Sequence, residues 1–169
     1  MSKAVLDAGP LIHLAELKAL DVLYDFDTLL LPETVWKEVA KYQRSALRYQ
    51  NLKLSRVQAP SISMDLIILA QAFSLDQGEI EALAILELYP GFLFLTDDAA
   101  ARLAAEQRGY SSHGTIGLLI RSVRVGRRTP NSVLKSLKRI QKYSTLHIRP
   151  ALMNEIINQL EKEWTRAGN

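Results

Sequence analysis

Acidic side chains follow two short apolar segments of this sequence. Residues 4–6 lead directly into Asp7, and residues 92–96 lead into Asp97 and Asp98. Short apolar runs bounded by turn residues are typical of buried strands in a parallel sheet. Because ligands bind beyond the carboxyl ends of such strands, the two sets of carboxylates would meet if their strands are neighbours. Close carboxylates repel one another unless one is protonated or a cation lies between them, and their hard oxygen atoms suit Mg²⁺ or Mn²⁺.

Each of these aspartates has a second explanation, because Asp is also a preferred helix N-cap. A single Asp at a strand-to-helix turn is more often a cap than a metal ligand. Asp7 fits this explanation less well, because Gly9-Pro10 follows it and proline favours the first position of a helix, so we expect the helix to begin there. Position at a strand end therefore leaves both roles open.

Glu38 is a further candidate, from a predicted helix over residues 35–42. At about 100° per residue, Val39 and Tyr42 lie within about 40° of Val35, and Glu38 lies about 60° away. Glu38 is thus expected at the edge of the buried face of this helix. A carboxylate beside a buried face needs a partner, and either a metal ion or an arginine can supply it.

Two glutamates lie in a predicted helix over residues 77–88, which is apolar almost all round and therefore expected to be buried. Glu79 follows Asp76 at the spacing of a capping box, in which the glutamate bonds back to the cap residue. Glu81 has no such explanation, but it points some 200° away from Glu79 and can reach solvent on the other side. Both glutamates stay candidates.

Strands alternate with helices along the chain, which predicts an α/β fold with a central parallel sheet covered on both faces. The 169 residues suit a single domain, 1–169. Its last two helices, within 130–169, form a C-terminal extension that adds bulk outside the core. Predicted strands cover 4–6, 28–31, 53–57, 92–96 and 110–112; predicted helices start near residue 9 and cover 35–42, 64–73, 77–88, 99–108, 115–125, 130–142 and 149–164.

Composition excludes several classes of protein and site. Apolar residues make up 48% of the chain, which argues against disorder, and there is no cysteine for a disulfide, a thiolate zinc site or a cysteine nucleophile. No apolar run approaches the roughly 20 residues that a bilayer span needs, and no signal peptide precedes Asp7. We expect a cytoplasmic protein. His13 is expected to be a core histidine, and His113 a loop residue.

The charge is unevenly distributed. Residues 1–106 carry 15 acidic and 9 basic side chains, whereas residues 107–154 carry 10 basic side chains and no acid. A basic segment of this kind favours a polyanionic partner such as nucleic acid. The alternatives are solvated helix faces or a surface that meets an acidic protein.

Taken together, the candidate acids lie in stretches that resemble the PIN-domain family, and within it the VapC-type toxin nucleases and their relatives. The matching stretches are residues 5–12, 32–39, 75–84, 95–102 and 114–117, so the resemblance runs over roughly 3–125. It implies a compact three-layer α/β/α sandwich with a parallel sheet. Each motif is weak alone, but their order and spacing are fairly specific.

The resemblance also implies a metal cluster of catalytic carboxylates: Asp7 as the central ligand, with Glu38, Glu79 and either Asp97 or Asp98. The family's Thr-x-Asp pattern favours Asp98, whereas a neighbouring branch with paired aspartates and the closeness to the strand end leave Asp97 open. Glu81 is an alternative ligand, and Thr96 is expected to hydrogen-bond a ligand carboxylate. The chain departs from many relatives at Gly9, where a side-chain hydroxyl or amide is common.

The implied function is a Mg²⁺- or Mn²⁺-dependent ribonuclease that hydrolyses phosphodiester bonds, as the toxin of a toxin–antitoxin pair. The resemblance further implies a small antitoxin as partner and a homodimer. Arg102, Thr115, Arg121 and Arg124 are the predicted RNA-binding residues. One alternative is a non-catalytic PIN-like module that binds RNA or protein. Another is a phosphatase with an Asp nucleophile, but such an enzyme normally has a second acid two residues later, where this chain has Gly9.

Overall fold

Five parallel strands form the centre of the molecule. The computed structural model describes residues 2–167, and the strand order across the sheet is β3-β2-β1-β4-β5. The strands are β1 (Ser2–Leu6), β2 (Phe26–Pro32), β3 (Leu54–Val57), β4 (Leu93–Leu95) and β5 (Ser112–His113). The predicted parallel sheet is confirmed, and all five strands lie close to their predicted positions.

The strand β1 lies in the middle of the sheet and pairs on both sides. Val5 is in register with Leu30 of β2 and with Phe94 of β4. Residues 4–6 are completely buried, which explains why the strand is continuously apolar and does not alternate. The carboxyl ends of β1 and β4 are therefore neighbours, so that Asp7 lies beside the residues that follow Leu95.

Residues 2–167 form eight α-helices around the sheet. They are α1 (Ala8–Glu16), α2 (Glu33–Tyr42), α3 (Met64–Phe73), α4 (Gln77–Leu88), α5 (Ala99–Gln107), α6 (Thr115–Arg124), α7 (Pro130–Tyr143) and α8 (Pro150–Ala167), with 3₁₀ turns at Leu20–Asp25 and Arg44–Arg48. Within residues 2–167, no helix combines the length and the apolarity that a membrane crossing needs.

Side chains of the sheet separate into two apolar clusters, one on each face. Leu6 and Leu29 pack with residues of α1, α2, α6, α7 and α8. Val5, Leu30 and Phe94 pack with residues of α3, α4 and α5. Because successive side chains of a strand point to opposite faces, both clusters are anchored by the same strands. This is the predicted three-layer α/β/α sandwich.

The last two helices are part of the core, which differs from the prediction that they lie outside it. Val133 and Leu137 of α7 and Met153 and Ile157 of α8 are buried in the same cluster as Leu6 and Leu29. The apolar residues of each helix recur every three to four positions, so each helix presents one apolar face, and that face packs on the sheet's own helix layer. The C-terminal helices therefore extend one core and do not form a separate one.

Candidate active site

Asp7 lies at the end of β1 and is also the N-cap of α1. Its Oδ1 accepts a hydrogen bond from the Ala8 N–H at 2.8 Å, and its Oδ2 accepts one from Thr96 Oγ1 at 2.9 Å. The helix begins at Ala8, earlier than Gly9-Pro10 suggested, so the capping role is real. Burial raises the pKa of Asp7 to about 6, and the nearby carboxylates of Asp76 and Glu38 add to this shift. Each carboxylate oxygen keeps a free lone pair for a further ligand.

Glu79 is both a capping residue and a neighbour of the other acids. Its carboxylate accepts a hydrogen bond from the Asp76 N–H at 2.9 Å, and Asp76 accepts one from the Glu79 N–H at 2.9 Å, which confirms the capping box. Only 6% of Glu79 is exposed. Burial raises its pKa to about 7, with repulsion from Asp76, Asp7 and Asp98 contributing. A buried carboxylate among three others is an unusual environment that a cation would stabilise.

Glu38 is exposed, which corrects its expected position at a buried edge. Only Val35 and Val39 of α2 reach the core, and Tyr42 is 62% exposed, because the buried stripe of this helix is narrower than the helical projection suggested. Glu38 has no hydrogen bond or ion pair with any residue of 2–167. Partial burial and the Asp76 carboxylate raise its pKa, and its charge in turn affects Asp7. Glu38 therefore lies at the open side of the set formed by Asp7, Glu38, Glu79 and Asp98, which we call the acid group.

Asp97 is fully engaged by residues of α1 and α6. The His13 Nδ1 lies 2.7 Å from Asp97 Oδ2, and the N–H and Oγ1 of Thr115 each donate to the carboxylate at 2.6 Å. Burial alone would raise the pKa of Asp97, but these hydrogen bonds outweigh it and hold the pKa below its ordinary value. Asp97 therefore joins two helices to the end of β4.

Asp98 faces the acid group. Its Oδ1 accepts a hydrogen bond from the Ala101 N–H at 2.8 Å and caps α5. The residue is exposed, and its negative charge contributes to the raised pKa of Glu79. Of the two aspartates after β4, only Asp98 is among the charges that raise the pKa of Glu79.

Gly114 gives the carboxylate of Asp97 its room. A Cβ atom at Gly114 would lie 2.8 Å from Asp97 Oδ1, so a side chain there would displace the carboxylate. A Cβ atom at Gly9 would make only ordinary van der Waals contacts, 3.4 Å from Asp97 Oδ2 and 3.5 Å from His13 Cε1. His13 is the residue that sequence reasoning assigned to the core, and its contact with Asp97, 84 positions away, left no local signal in the sequence.

Thr96 and Glu81 support the acids without belonging to the same group. Thr96 is completely buried; its hydroxyl donates to Asp7 Oδ2 and accepts from the Asp98 N–H at 3.2 Å. Glu81 accepts from the Thr34 Oγ1 at 2.7 Å and from the Thr34 N–H at 3.1 Å, at the start of α2. Glu81 is thus engaged by the helix that carries Glu38.

Two of the predicted RNA-binding residues, Arg102 and Thr115, lie near Asp97. Arg102, half-buried on α5, brings Nη1 to 3.4 Å from the Cβ position of Gly114 and has no ion pair with any residue of 2–167. Thr115 is completely buried, with its N–H and hydroxyl bound to Asp97. Arg102 is free to contact an anion, whereas Thr115 has a structural task already.

The other two lie at the opposite edge of the sheet. Arg121 Nη1 lies 2.9 Å from Asp25 Oδ2, and its Nη2 donates to Ser2 Oγ at 3.0 Å. Ser2 begins β1, so this contact marks the amino end of the strands. Arg124 lies exposed one turn further along α6. The structure does not bring these two arginines to the acids.

Half of the basic segment is paired within the molecule, which the charge distribution alone did not reveal. The pairs are Arg108 with Glu87, Arg121 and Arg127 with Asp25, Arg128 with Asp21, and Lys138 with Glu161. Four of these bases contact acids that come earlier in the sequence. The segment is therefore less cationic in the fold than in the sequence.

The acid group fits a divalent cation in its donor chemistry. Asp7, Glu38, Glu79 and Asp98 offer only oxygen atoms, which Mg²⁺ and Mn²⁺ prefer. The raised pKa values of Asp7 and Glu79 reflect burial and mutual repulsion, which a positive ion would relieve. As they stand, no three His, Asp or Glu side chains of residues 2–167 are gathered closely enough to coordinate one ion.

The chain matches a known protein family. The family model DUF3368, described as a PIN domain, matches residues 3–162. This range includes all of the sheet except Ser2, all the candidate acids and most of α8, and extends beyond the range of 3–125 over which the motifs carried the resemblance. No curated protein matches the chain.

Proposed function

Since this chain belongs to the PIN-domain family, we propose that it is a metal-dependent endoribonuclease. PIN domains are generally nucleases that use divalent metal ions. The observation that carries the proposal is the buried carboxylate of Glu79, whose pKa is raised to about 7 by burial and by repulsion from the carboxylates of Asp76, Asp7 and Asp98. Ligand sites of open parallel sheets lie at the carboxyl ends of the strands, which Asp7 and Asp98 follow.

The ligands of the proposed Mg²⁺ or Mn²⁺ site are Asp7, Glu38, Glu79 and Asp98. Asp98 is favoured over Asp97 because the oxygen atoms of Asp97 already accept hydrogen bonds from His13 and Thr115. When bound, the metal ion lowers the pKa of a water molecule and neutralises charge at the scissile phosphate.

The chain's own residues then have distinct tasks. Thr96 holds the carboxylate of Asp7 and the backbone of Asp98 in one arrangement. The capping box of α4 fixes Glu79. Arg102 binds a phosphate of the RNA backbone beside the acids. The reaction is hydrolysis of the phosphodiester bond, with a 5′-phosphate and a 3′-hydroxyl as products.

The test compares RNA cleavage by the wild type and by Asp7→Asn. Asn is also a good N-cap, so α1 is expected to keep its start. We expect the rate in Mg²⁺ or Mn²⁺ to fall by about 100-fold or more, because several kcal/mol of transition-state stabilisation depend on the ion. Glu155→Gln, which removes an exposed acid of α8, is the matched control and should cleave like the wild type.

Two outcomes would count against the proposal. Cleavage that persists in EDTA, or that is equal in Asp7→Asn and the wild type purified in parallel, would exclude a metal-dependent mechanism at this site. RNA binding without cleavage under all metals would assign the chain to the non-catalytic PIN-like alternative.

The biological setting is a further part of the proposal. The family resemblance supports a toxin that acts on cytoplasmic RNA, is inhibited by a small antitoxin and forms a homodimer. Induced expression should then arrest growth, and co-expression of its antitoxin should restore it. Light scattering at several concentrations measures the oligomeric state. Normal growth on expression of a chain that cleaves RNA in vitro would separate the nuclease from the toxin role.

A further inference from the structure

A pocket of about 320 Å³ opens at Asp97, the residue that precedes Asp98 at the end of β4. Its walls come from the start of α5, the start of α6 and the segment that joins α7 to α8. A volume of this size is at the lower end of the range of small-molecule sites, which is about 300–1,000 Å³. The pocket suits one unpaired nucleotide and is too small for a duplex.

Two arginines line this pocket and are available for an anion. Arg102 and Arg149 form no ion pair with any residue of 2–167, whereas half of the basic segment is paired. Arg149 is exposed and Arg102 is half-buried. Guanidinium groups bind phosphate with charge-assisted hydrogen bonds. The chemistry of the rim therefore favours a phosphate-bearing ligand.

The remaining walls suit a nucleobase. Ile116, Leu146, Ile148 and Leu152 give apolar surface, and the exposed ring of His147 lies between two of them in sequence. Unpaired bases of RNA stack on histidine rings and on guanidinium planes and pack against apolar side chains.

The wall formed by residues 144–148 is held in place before any ligand binds. Glu16 accepts hydrogen bonds from the Thr145 N–H at 3.0 Å and from the Thr145 hydroxyl at 2.9 Å. Leu146 and Ile148 pack on the larger apolar cluster. A preformed wall reduces the entropy cost of binding.

We propose that this pocket binds the nucleotide next to the scissile phosphate of a single-stranded RNA. Its base packs on Ile148 and Leu152, and its phosphate contacts Arg102 and Arg149. The inference rests on the proposed function for the position of the scissile phosphate. Its consequence is that the C-terminal helices take part in substrate choice, because they supply one wall of the pocket and select for RNA whose bases are unpaired.

The test measures binding and needs no cleavage. A fluorescent single-stranded RNA of five nucleotides is titrated with the protein in EDTA, and fluorescence anisotropy gives the Kd at several salt concentrations. Arg149→Gln should weaken binding by about 3–10-fold, because one charge-assisted contact is lost. The slope of log affinity against log salt should become shallower by about 0.7, the contribution of one phosphate contact in a single strand.

The apolar part of the pocket has its own variant. Leu152→Ala removes a lining side chain that is 40% exposed, so this variant is not expected to affect folding. It should weaken binding without a change in the salt slope. Arg48→Gln is the matched control, because it removes one exposed charge from the 3₁₀ turn Arg44–Arg48. This turn is followed by Tyr49, whose ring stacks on that of Tyr24, a residue that precedes β2. The Kd of Arg48→Gln should stay within about two-fold of that of the wild type.

The outcomes separate the pocket from the nuclease. Equal Kd values for Arg149→Gln, Leu152→Ala and the wild type would overturn the inference, even if the protein cleaves RNA, and would leave the pocket to a protein partner. Pocket-dependent binding without cleavage would support the inference and count against the proposed nuclease. A duplex of the same sequence should bind more weakly, and equal binding of duplex and single strand would also overturn the inference.

Discussion

Adjacent aspartates at the end of β4 have different partners. Asp97 is held by His13 and Thr115, and its pKa lies below the ordinary value despite burial. Asp98 is exposed and contributes to the raised pKa of Glu79. The first side chain stabilises the junction of three elements, and the second belongs to the acid group.

The two aspartates should therefore respond differently to the same change. Asp97→Asn removes the charged partner of His13, and we expect the free energy of unfolding to fall by about 1.5–3 kcal/mol. Asp98→Asn keeps a good N-cap, so we expect almost no loss of stability but a Mn²⁺ affinity lower by about 10-fold or more. Urea denaturation and calorimetric titration of Mn²⁺ measure the two effects. The reverse pattern would make Asp97 the ligand.

Thr96 is expected to be a positioning residue. Thr96→Val keeps the shape but removes the hydroxyl that donates to Asp7 and accepts from the Asp98 N–H. We expect the cleavage rate to fall by about 10-fold while substrate binding is retained, as is typical when a group that orients a metal ligand is lost. Thr96→Ser should restore most of the rate, because it restores the hydroxyl. If the serine variant is as slow as the valine variant, the role of Thr96 is in packing.

At the scale of residues, local signals could be predicted from the sequence, whereas contacts with residues distant in the sequence could not. The strand-end aspartates were found from the sequence, since an apolar run followed by an acid is a local signal. The different partners of Asp97 and Asp98 were not predicted, because His13 lies 84 positions and Thr115 lies 18 positions from Asp97. The capping box of Asp76 and Glu79 was predicted correctly because it spans three residues.

At the scale of elements, α2 begins without a cap of its own. Its N-cap residue is Pro32, which has no side-chain acceptor. Glu81 of α4 supplies the missing acceptor, because its carboxylate binds both the N–H and the hydroxyl of Thr34. One buried helix thus fixes the start of the helix that carries Glu38.

Glu81→Ala should destabilise the protein through α2. We expect a loss of about 1–2 kcal/mol in the free energy of unfolding, the usual range for a lost cap and its unsatisfied N–H group. Urea denaturation measures the loss, and Glu155→Ala on the exposed face of α8 serves as the control. A loss no greater than that of the control would mean that water replaces the carboxylate.

The contact between Glu81 and Thr34 also explains which helix starts could be predicted from the sequence. The starts of α3 and α4 were predicted to the residue, because Ser63 and Asp76 cap their own helices. The start of α2 was predicted at residue 35, two residues after its observed start at Glu33, because its acceptor comes from another helix. Glu38 was misplaced for a related reason: a helical projection gives the direction of a side chain but not the width of the buried stripe.

At the scale of the whole molecule, the acid group makes stability depend on pH and metal. Burial raises the pKa of Asp7 from 3.8 to about 6 and that of Glu79 from 4.5 to about 7. A carboxyl with a raised pKa binds its proton more tightly in the folded state, so its contribution to stability is fully present below the unfolded pKa and is lost as pH rises through the folded pKa.

We therefore expect the metal-free protein to lose stability between about pH 4 and pH 7 through these two groups. The measurement is the free energy of unfolding in EDTA, compared with that of the Asp7→Asn/Glu79→Gln double variant, in which this contribution is absent. Mg²⁺ should restore the wild type above pH 7, because it neutralises the ionised carboxylates. A difference between the two proteins that does not change with pH would contradict the prediction.

The C-terminal helices should be required for folding. Removal of residues 129–169 takes away Val133, Leu137, Met153 and Ile157 from the core and uncovers Leu118 and its neighbours. Each buried apolar side chain contributes about 1.5–3 kcal/mol, and a domain of this size has only about 5–15 kcal/mol of net stability. Circular dichroism should show no cooperative thermal transition. A cooperative transition would make residues 130–169 a dispensable extension.

The pairing of β1 with β4 also affects when the acid group can form during translation, because the two strands are neighbours in the sheet but distant in the sequence. The strand β1 is synthesised before β4, with which it pairs, and Leu6 of β1 is in register with Leu95 of β4. At about 5–20 residues per second, synthesis needs roughly 5–20 s to pass from one strand to the other. A nascent chain therefore holds Asp7, and later Glu38 and Glu79, without Asp98, which is added only after more than half of the 169 residues have been made. An enzyme that attacks RNA would in this way lack its complete acid group during the first half of its own translation.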